Sequence, residues 1–132
     1  MGLANLMFDL SGGRMKVQGR PLLRLTTVGA RTGRRRRTVL GWFPDPDRSD
    51  AWIVVGSANG AARHPGWCHN LARNPMASIE VGKQQFQVTA QSLKGTEREE
   101  AWRSVVALSH GYGRYAVMTD REIPIIRLTP AA

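Results

Sequence analysis

The side chains in this sequence that could do chemistry are mostly cations and aromatics. Arg31, Arg34, Arg35, Arg36 and Arg37 surround a turn bracketed by Gly29 and Gly33, which follows the extended run Leu25-Thr26-Thr27-Val28. In an extended run Leu23, Leu25 and Thr27 share one face, and the two glycines allow backbone angles that other residues avoid. The basic side chains therefore leave a tight, positioned corner. Successive backbone N–H groups in such a turn, with guanidinium forks beside them, suit phosphates and carboxylates. The guest this predicts is an anion.

Charge alone admits wider readings. Nineteen Lys and Arg stand against ten Asp and Glu, a formal charge of +9, and that balance attracts any polyanion, whether nucleic acid or an anionic membrane surface. The arginine run has no interleaved aromatics, which disfavours a nucleic-acid reader. His64, Cys68 and His69 lie close together, but no fourth ligand or paired spacing accompanies them, so no metal site is expected. Tyr112 and Tyr115 sit in a glycine-punctuated segment, either as an aromatic lid over a pocket or as ordinary packed rings. Gly-x-Ser-x-Gly, zinc-protease, Walker and dinucleotide motifs are absent. Any hard chemistry is then borrowed from a cofactor.

The elements that must position these residues are short. Leu3, Leu6, Met7 and Leu10 have the spacing of an amphipathic helix without the leader and long apolar core of a signal peptide. Strands are expected near 22–28 and 36–43, as a hairpin around the arginine turn, and at 51–56, a β-branched run suited to a central strand. Pro65 and Pro75 bound a short helix in which Trp67 and Leu71 pack inward together. Alternation around Gly82-Lys83 predicts a hairpin of 76–81 and 84–90 with one face buried, hence a mainly antiparallel sheet. Thr96 and Glu99 resemble a capping box opening a helix over 96–109, and 123–128 forms the last strand. Five or six short strands with helices outside them describe a small split or closed β-barrel. At 132 residues the chain is one domain, 1–19 forming a helix and linker and 20–130 the barrel. A single cysteine forbids an internal disulfide and fits a reducing compartment, and no apolar run is long enough to cross a bilayer.

Four blocks in register carry a family resemblance: Leu25 to Gly33, Val55-Gly56-Ser57-Ala58-Asn59-Gly60, His64 to Pro75, and Thr119-Asp120-Arg121-Glu122-Ile123-Pro124-Ile125. Together they resemble the deazaflavin-dependent nitroreductases and quinone reductases, actinobacterial split-barrel proteins that use coenzyme F420. The resemblance implies an α+β, mainly antiparallel split barrel like that of FMN-binding oxidoreductases. It implies a cofactor that is flat and aromatic at one end and anionic, through a phosphodiester and glutamate tail, at the other. Arg31, Thr32, Arg36, Arg37, Thr38, Ser57, Ala58, Asn59, Trp67 and Asn70 are the cofactor-binding positions it implies. Tyr112 and Tyr115 match catalytic and substrate-side tyrosines, with Ser109 at a third substrate position. Ala30, Ala58, Cys68 and Arg35 depart from the family pattern, so anion binding is expected to lean harder on Arg34, Arg35 and Arg37. The implied activity is hydride transfer from reduced F420 to a quinone, nitroaromatic or enone. FMN use by the same barrel is the alternative. A cytoplasmic protein, a monomer or homodimer with peripheral contact to the inner membrane face, is the expected setting.

Overall fold

A computed structural model describes residues 2–17, 19–57 and 63–131. In chain order the elements are α1 (Leu3–Leu10), β1 (Lys16–Val17), β2 (Arg20–Val28), β3 (Arg35–Gly41), β4 (Phe43–Pro44), β5 (Trp52–Val55), α2 (Gly66–Arg73), β6 (Met76–Val81), β7 (Gln84–Ser92), α3 (Gly95–Leu108), α4 (Gly111–Met118) and β8 (Ile125–Pro130). All strand pairs are antiparallel, in the order β1-β2-β6-β7-β8-β5-β4 with β3 on the other edge of β2. The chain passes from β3, paired with β2, to β4, paired with β5, through Trp42 alone. That step joins the two ends of the strand order, and the sheet curls into the expected split barrel. Two of the strands, β1 and β4, are two residues long and carry no periodicity by which to anticipate them.

The barrel interior is one apolar cluster. Leu23 and Leu25 of β2, Val54 of β5, Ile79 of β6, Val88 of β7 and Leu128 of β8 meet Trp67 and Leu71 of α2 there. A second cluster lies outside the β5–β8 ribbon, where Ile53, Val55 and Ile125 pack against Ala101 and Val105 of α3. Buried on both faces, β5 has no polar alternation to show.

Two arginines are inside as well. Arg24 of β2 is buried beneath α1, with its guanidinium 5.1 Å from the Phe8 ring, hydrogen-bonded to both Glu80 carboxylate oxygens and 2.8 Å from Asp9. This contact sets which face of α1 packs on the sheet. Asn5 and Phe8 face inward, and Leu3, Leu6, Met7 and Leu10 are exposed. Arg127 of β8 is bonded to Asp45 and Glu97, and its Asp45 partner is fully enclosed.

One expectation is corrected. The helix α3 opens a residue before Thr96, at Gly95 with φ +57°, without a side-chain cap at its start. The segment around Tyr112 and Tyr115 is the helix α4, whose glycines lie near its start, where they weaken it least.

Asp45→Ala strands the buried Arg127 guanidinium with only its more exposed acidic neighbours. Urea unfolding should show a loss of about 3 kcal/mol, the scale for removing one partner of a buried ion pair. A loss under about 1 kcal/mol, the size of a surface pair, would contradict this role for Asp45.

Candidate functional site

The turn between β2 and β3 is closed by its own backbone. Gly29 N–H donates to the Arg34 carbonyl at 2.7 Å and Gly33 N–H to the Gly29 carbonyl at 2.9 Å, with Gly33 at φ +70°. Thr32 Oγ1 accepts from Arg34 N–H at 3.2 Å. A Cβ on Gly29 would come within 2.9 Å of Thr32 Oγ1, so glycine is required for this closure.

A side chain from α2 then fixes the turn. Ala30 N–H donates to Asn70 Oδ1 at 2.9 Å, and Asn70 Nδ2 donates to Thr27 Oγ1 at 2.9 Å. Both ends of the Asn70 amide are used, and its orientation follows from the fixed backbone donor. Thr27 and Asn70 are both buried.

A cleft of about 1220 Å³ opens between this turn and α2. Arg31, Thr32, Arg35, Arg36, Arg37 and Thr38 line one side, Val55 and Ser57 the floor at the end of β5, Pro65, Gly66, Trp67, His69 and Asn70 the α2 side, and Tyr112 the far end. Room remains at the start of α2, where an added Cβ on Gly66 would meet nothing within 4 Å.

Register sorts the arginines. Arg36 pairs with Thr27 and Thr38 with Leu25, so both belong to the sheet face that α2 covers. Arg35 and Arg37 pair with Val28 and Thr26 and belong to the opposite face, with Arg24 and Glu80. The Glu80 carboxyl is held below its ordinary range mainly by its hydrogen bonds to Arg24, with a smaller contribution from the field of Arg37. Arg34 is not on the cleft wall. Arg35, Arg36 and Arg37 all line the cleft, and of these Arg36 shares the sheet face that α2 covers, while Arg31 lines it from the turn itself.

At the other end, Tyr112 stands edge-on to Phe43 at 5.2 Å and to Tyr115 at 5.3 Å. Burial first, and then the neighbouring Tyr115, push its hydroxyl pKa upward. Tyr115 and Ser109 lie behind it and off the wall. Ser109 is the buried residue that ends α3, and its carbonyl accepts from Tyr112 N–H at 3.2 Å. Cys68 is turned away toward Gly56, where an added Cβ would lie 2.6 Å from its sulfur, and burial pushes its thiol up to about 12. It is not a nucleophile at neutral pH. The expected positions Ala58 and Asn59 lie outside the described residues.

Residues 7–130 match the family model described as F420H(2)-dependent quinone reductase. The chain belongs to this family. An F420H(2)-dependent quinone reductase of Mycobacterium tuberculosis is 38% identical over 112 residues, covering 83% of this chain and 73% of that protein. The solved structure of an F420-H2 dependent reductase, FDR-A, superposes with a TM-score of 0.73 at 32% identity, covering 86% of this chain and 98% of that one. A second structure, described as a domain-swapped dimer, gives 0.74 at 28% identity over 96% of each chain. Family membership makes this protein an F420-dependent oxidoreductase and decides against the FMN alternative.

The cleft fits that cofactor. The pinned turn with Arg31 lies at one end of β3, Tyr112 lies at the other, its hydroxyl 3.7 Å from the Cβ position of Gly41, and Val55 and Trp67 also line the cleft. An elongated ligand, anionic at one end and flat at the other, matches this division, and the volume exceeds the few hundred Å³ that suffice for a compact ligand. Arg121 and His64 both stand in the family blocks, but their contact beside the cleft had no sequence signal, because no local pattern pairs residues so far apart in the chain.

Asn70→Ala removes the amide that joins α2 to the turn and leaves the buried Thr27 hydroxyl and Ala30 N–H without it. Denaturation should show a loss of about 2–3 kcal/mol, the cost of orphaning two buried polar groups. Asn70→Asp, which keeps an acceptor for Ala30, should lose less. Equal losses in the two variants would argue against this pairing.

Proposed function

We propose that the cleft between the β2–β3 turn and α2 holds reduced F420 with its tail at Arg31 and Arg36 and its ring at the Trp67–Tyr112 end, and that the protein reduces quinones, nitroaromatics or enones there. The observation that supports this most is one cleft lined both by the arginines of the pinned turn and β3 and by Val55, Trp67 and Tyr112. When bound, the cofactor supplies a hydride from C5 of its ring, since carbon in place of flavin N5 disfavours one-electron states. What the chain supplies is orientation and a place for charge.

Each residue then has a stated task. Arg31 and Arg36 bind phosphodiester and carboxylate oxygens through forked, charge-assisted hydrogen bonds. Thr32 and Thr38 flank them on the same wall, and the field of Arg35 and Arg37 adds to the attraction. Trp67, held by the core, sets the plane against which the flat ring lies. The Tyr112 hydroxyl, kept protonated by burial, donates to an oxygen of the acceptor as negative charge develops there. Tyr115 and Ser109 hold Tyr112 in place.

The finer setting follows from α1. Its exposed Leu3, Leu6, Met7 and Leu10 form an apolar stripe beside the exposed cations Arg14, Lys16, Arg35 and Arg37. That pairing of features suits the surface of an anionic bilayer, where apolar quinones reside. Leu6→Ser with Leu10→Ser should abolish co-sedimentation with anionic lipid vesicles, and undiminished co-sedimentation would remove the membrane from the proposal.

Arg31→Ala and Arg36→Ala should each weaken F420 binding by about 1.5–3 kcal/mol, the scale for a hydrogen bond to a charged group, whereas Arg34→Ala should change little. Fluorescence titration of the cofactor reads this directly. Equal affinity in all three variants would place the tail elsewhere. Tyr112→Phe should lower turnover about 10²-fold or more without weakening cofactor binding, as expected for a lost proton donor.

A further inference from the structure

Arg121 lies between α4 and β8, off the cleft wall, and its guanidinium reaches two of the supports of that wall. Nη2 donates to the Ser57 carbonyl at 2.8 Å, and Nη1 stands 2.8 Å from Nδ1 of His64. Its own N–H donates to Thr119 Oγ1 at 3.3 Å, which fixes the base of the side chain. Ser57 stands two residues past Val55, the end of β5, and lines the cleft, and His64 directly precedes Pro65 and Gly66, where α2 opens onto the same cleft. One planar cation thus joins the end of a strand to the start of a helix across the floor of the site.

We propose that Arg121 is a positioning residue for F420, holding the end of β5 and the start of α2 at the spacing the cofactor requires, with the neutral His64 ring as the acceptor that completes the brace. This rests on the placement of F420 in the cleft proposed above. A guanidinium has donors and no acceptor, so Nη1 donates, Nδ1 accepts and the ring proton sits on Nε2. Protonating His64 converts that acceptor into a donor and sets two cations face to face. The brace then opens.

The surroundings of His64 set the sign of the pH dependence. Burial, then Arg121, then His69 hold its pKa below the ordinary imidazole range. His69 faces it with ring centroids 6.0 Å apart, and a smaller cavity of about 360 Å³ places Cys68, Lys94, Arg98 and Glu122 nearby. Arg98 and Glu122 are paired with each other at 2.9 Å, and the Cys68 thiol stays neutral. The brace is therefore complete above about pH 6.5, where free imidazole is neutral, and is lost as pH falls through the depressed pKa of His64.

The test is F420 affinity by fluorescence titration of the full chain between about pH 5 and 8, with circular dichroism as the check on folding. Arg121→Ala should raise Kd about tenfold at pH 7.5, the equivalent of one lost hydrogen bond. Arg121→Lys, whose ammonium can reach one of the two acceptors, should fall between. Wild-type affinity should drop on acidification below about pH 6.5, and His64→Gln, whose amide oxygen accepts at every pH, should abolish that drop. Arg121→Ala binding like wild type, or His64→Gln keeping the wild-type pH profile, overturns the brace. Arg36→Ala separates the two proposals: weakened binding there with an unchanged Arg121→Ala sinks the brace alone, and unchanged binding in both sinks the placement of the cofactor. If Arg121→Ala does not fold, Arg121→Lys and the His64→Gln profile decide.

Discussion

The Asn70 amide is the contact on which the rest of the site depends. It accepts a hydrogen bond from Ala30 N–H and donates one to Thr27 Oγ1, tying the turn of one hairpin to a helix forty residues further along the chain. Without such a tie the arginines would hang from a two-strand ribbon that extends past the barrel, and their guanidiniums would be solvated surface charge. With it, the corner carrying Arg31 and Arg36 has a fixed distance from Trp67. Since Asn70 is occupied at both ends, it builds the cleft wall and leaves anion recognition to its neighbours.

Arginine serves two separate purposes in this chain. Arg24 and Arg127 are inside, each held by two or more carboxylates, and they fasten α1 and α3 to the sheet. Arg31 and Arg34 to Arg37 are outside and exposed. The net charge therefore belongs to the surface, because the buried cations are neutralised locally, and these five arginines concentrate part of it at the turn beside the cleft. Such a surface favours approach of an anionic cofactor over long range, an effect that weakens as salt screens it.

Local signals made much of the fold legible. Gly33 and Gly82 both take positive φ in the hairpin turns expected of them, Pro65 and Pro75 bound α2, and alternating residues identified β6 and β7. What local pattern could not reveal depended on contacts between distant residues. The periodicity of α1 predicted a helix but not which face packs, which the Arg24 cluster with Phe8 and Asp9 sets. The glycine-punctuated segment of Tyr112 and Tyr115 carried no assigned element, and it forms a helix whose tyrosine rings pack against Phe43 and the second core cluster. The run from Arg34 to Arg37 read as one basic patch, and only the pairing of β3 with β2 divides it between two faces. Arg121 was visible as part of a family block, but its reach to Ser57 and His64 was not.

The most direct test of the account is a crystal structure of the protein with reduced F420. The account requires the phosphodiester and tail oxygens within hydrogen-bonding distance of Arg31 and Arg36, and the ring beside Trp67 and Tyr112. A tail projecting into solvent, or a ring seated in the smaller cavity behind α2, would contradict it.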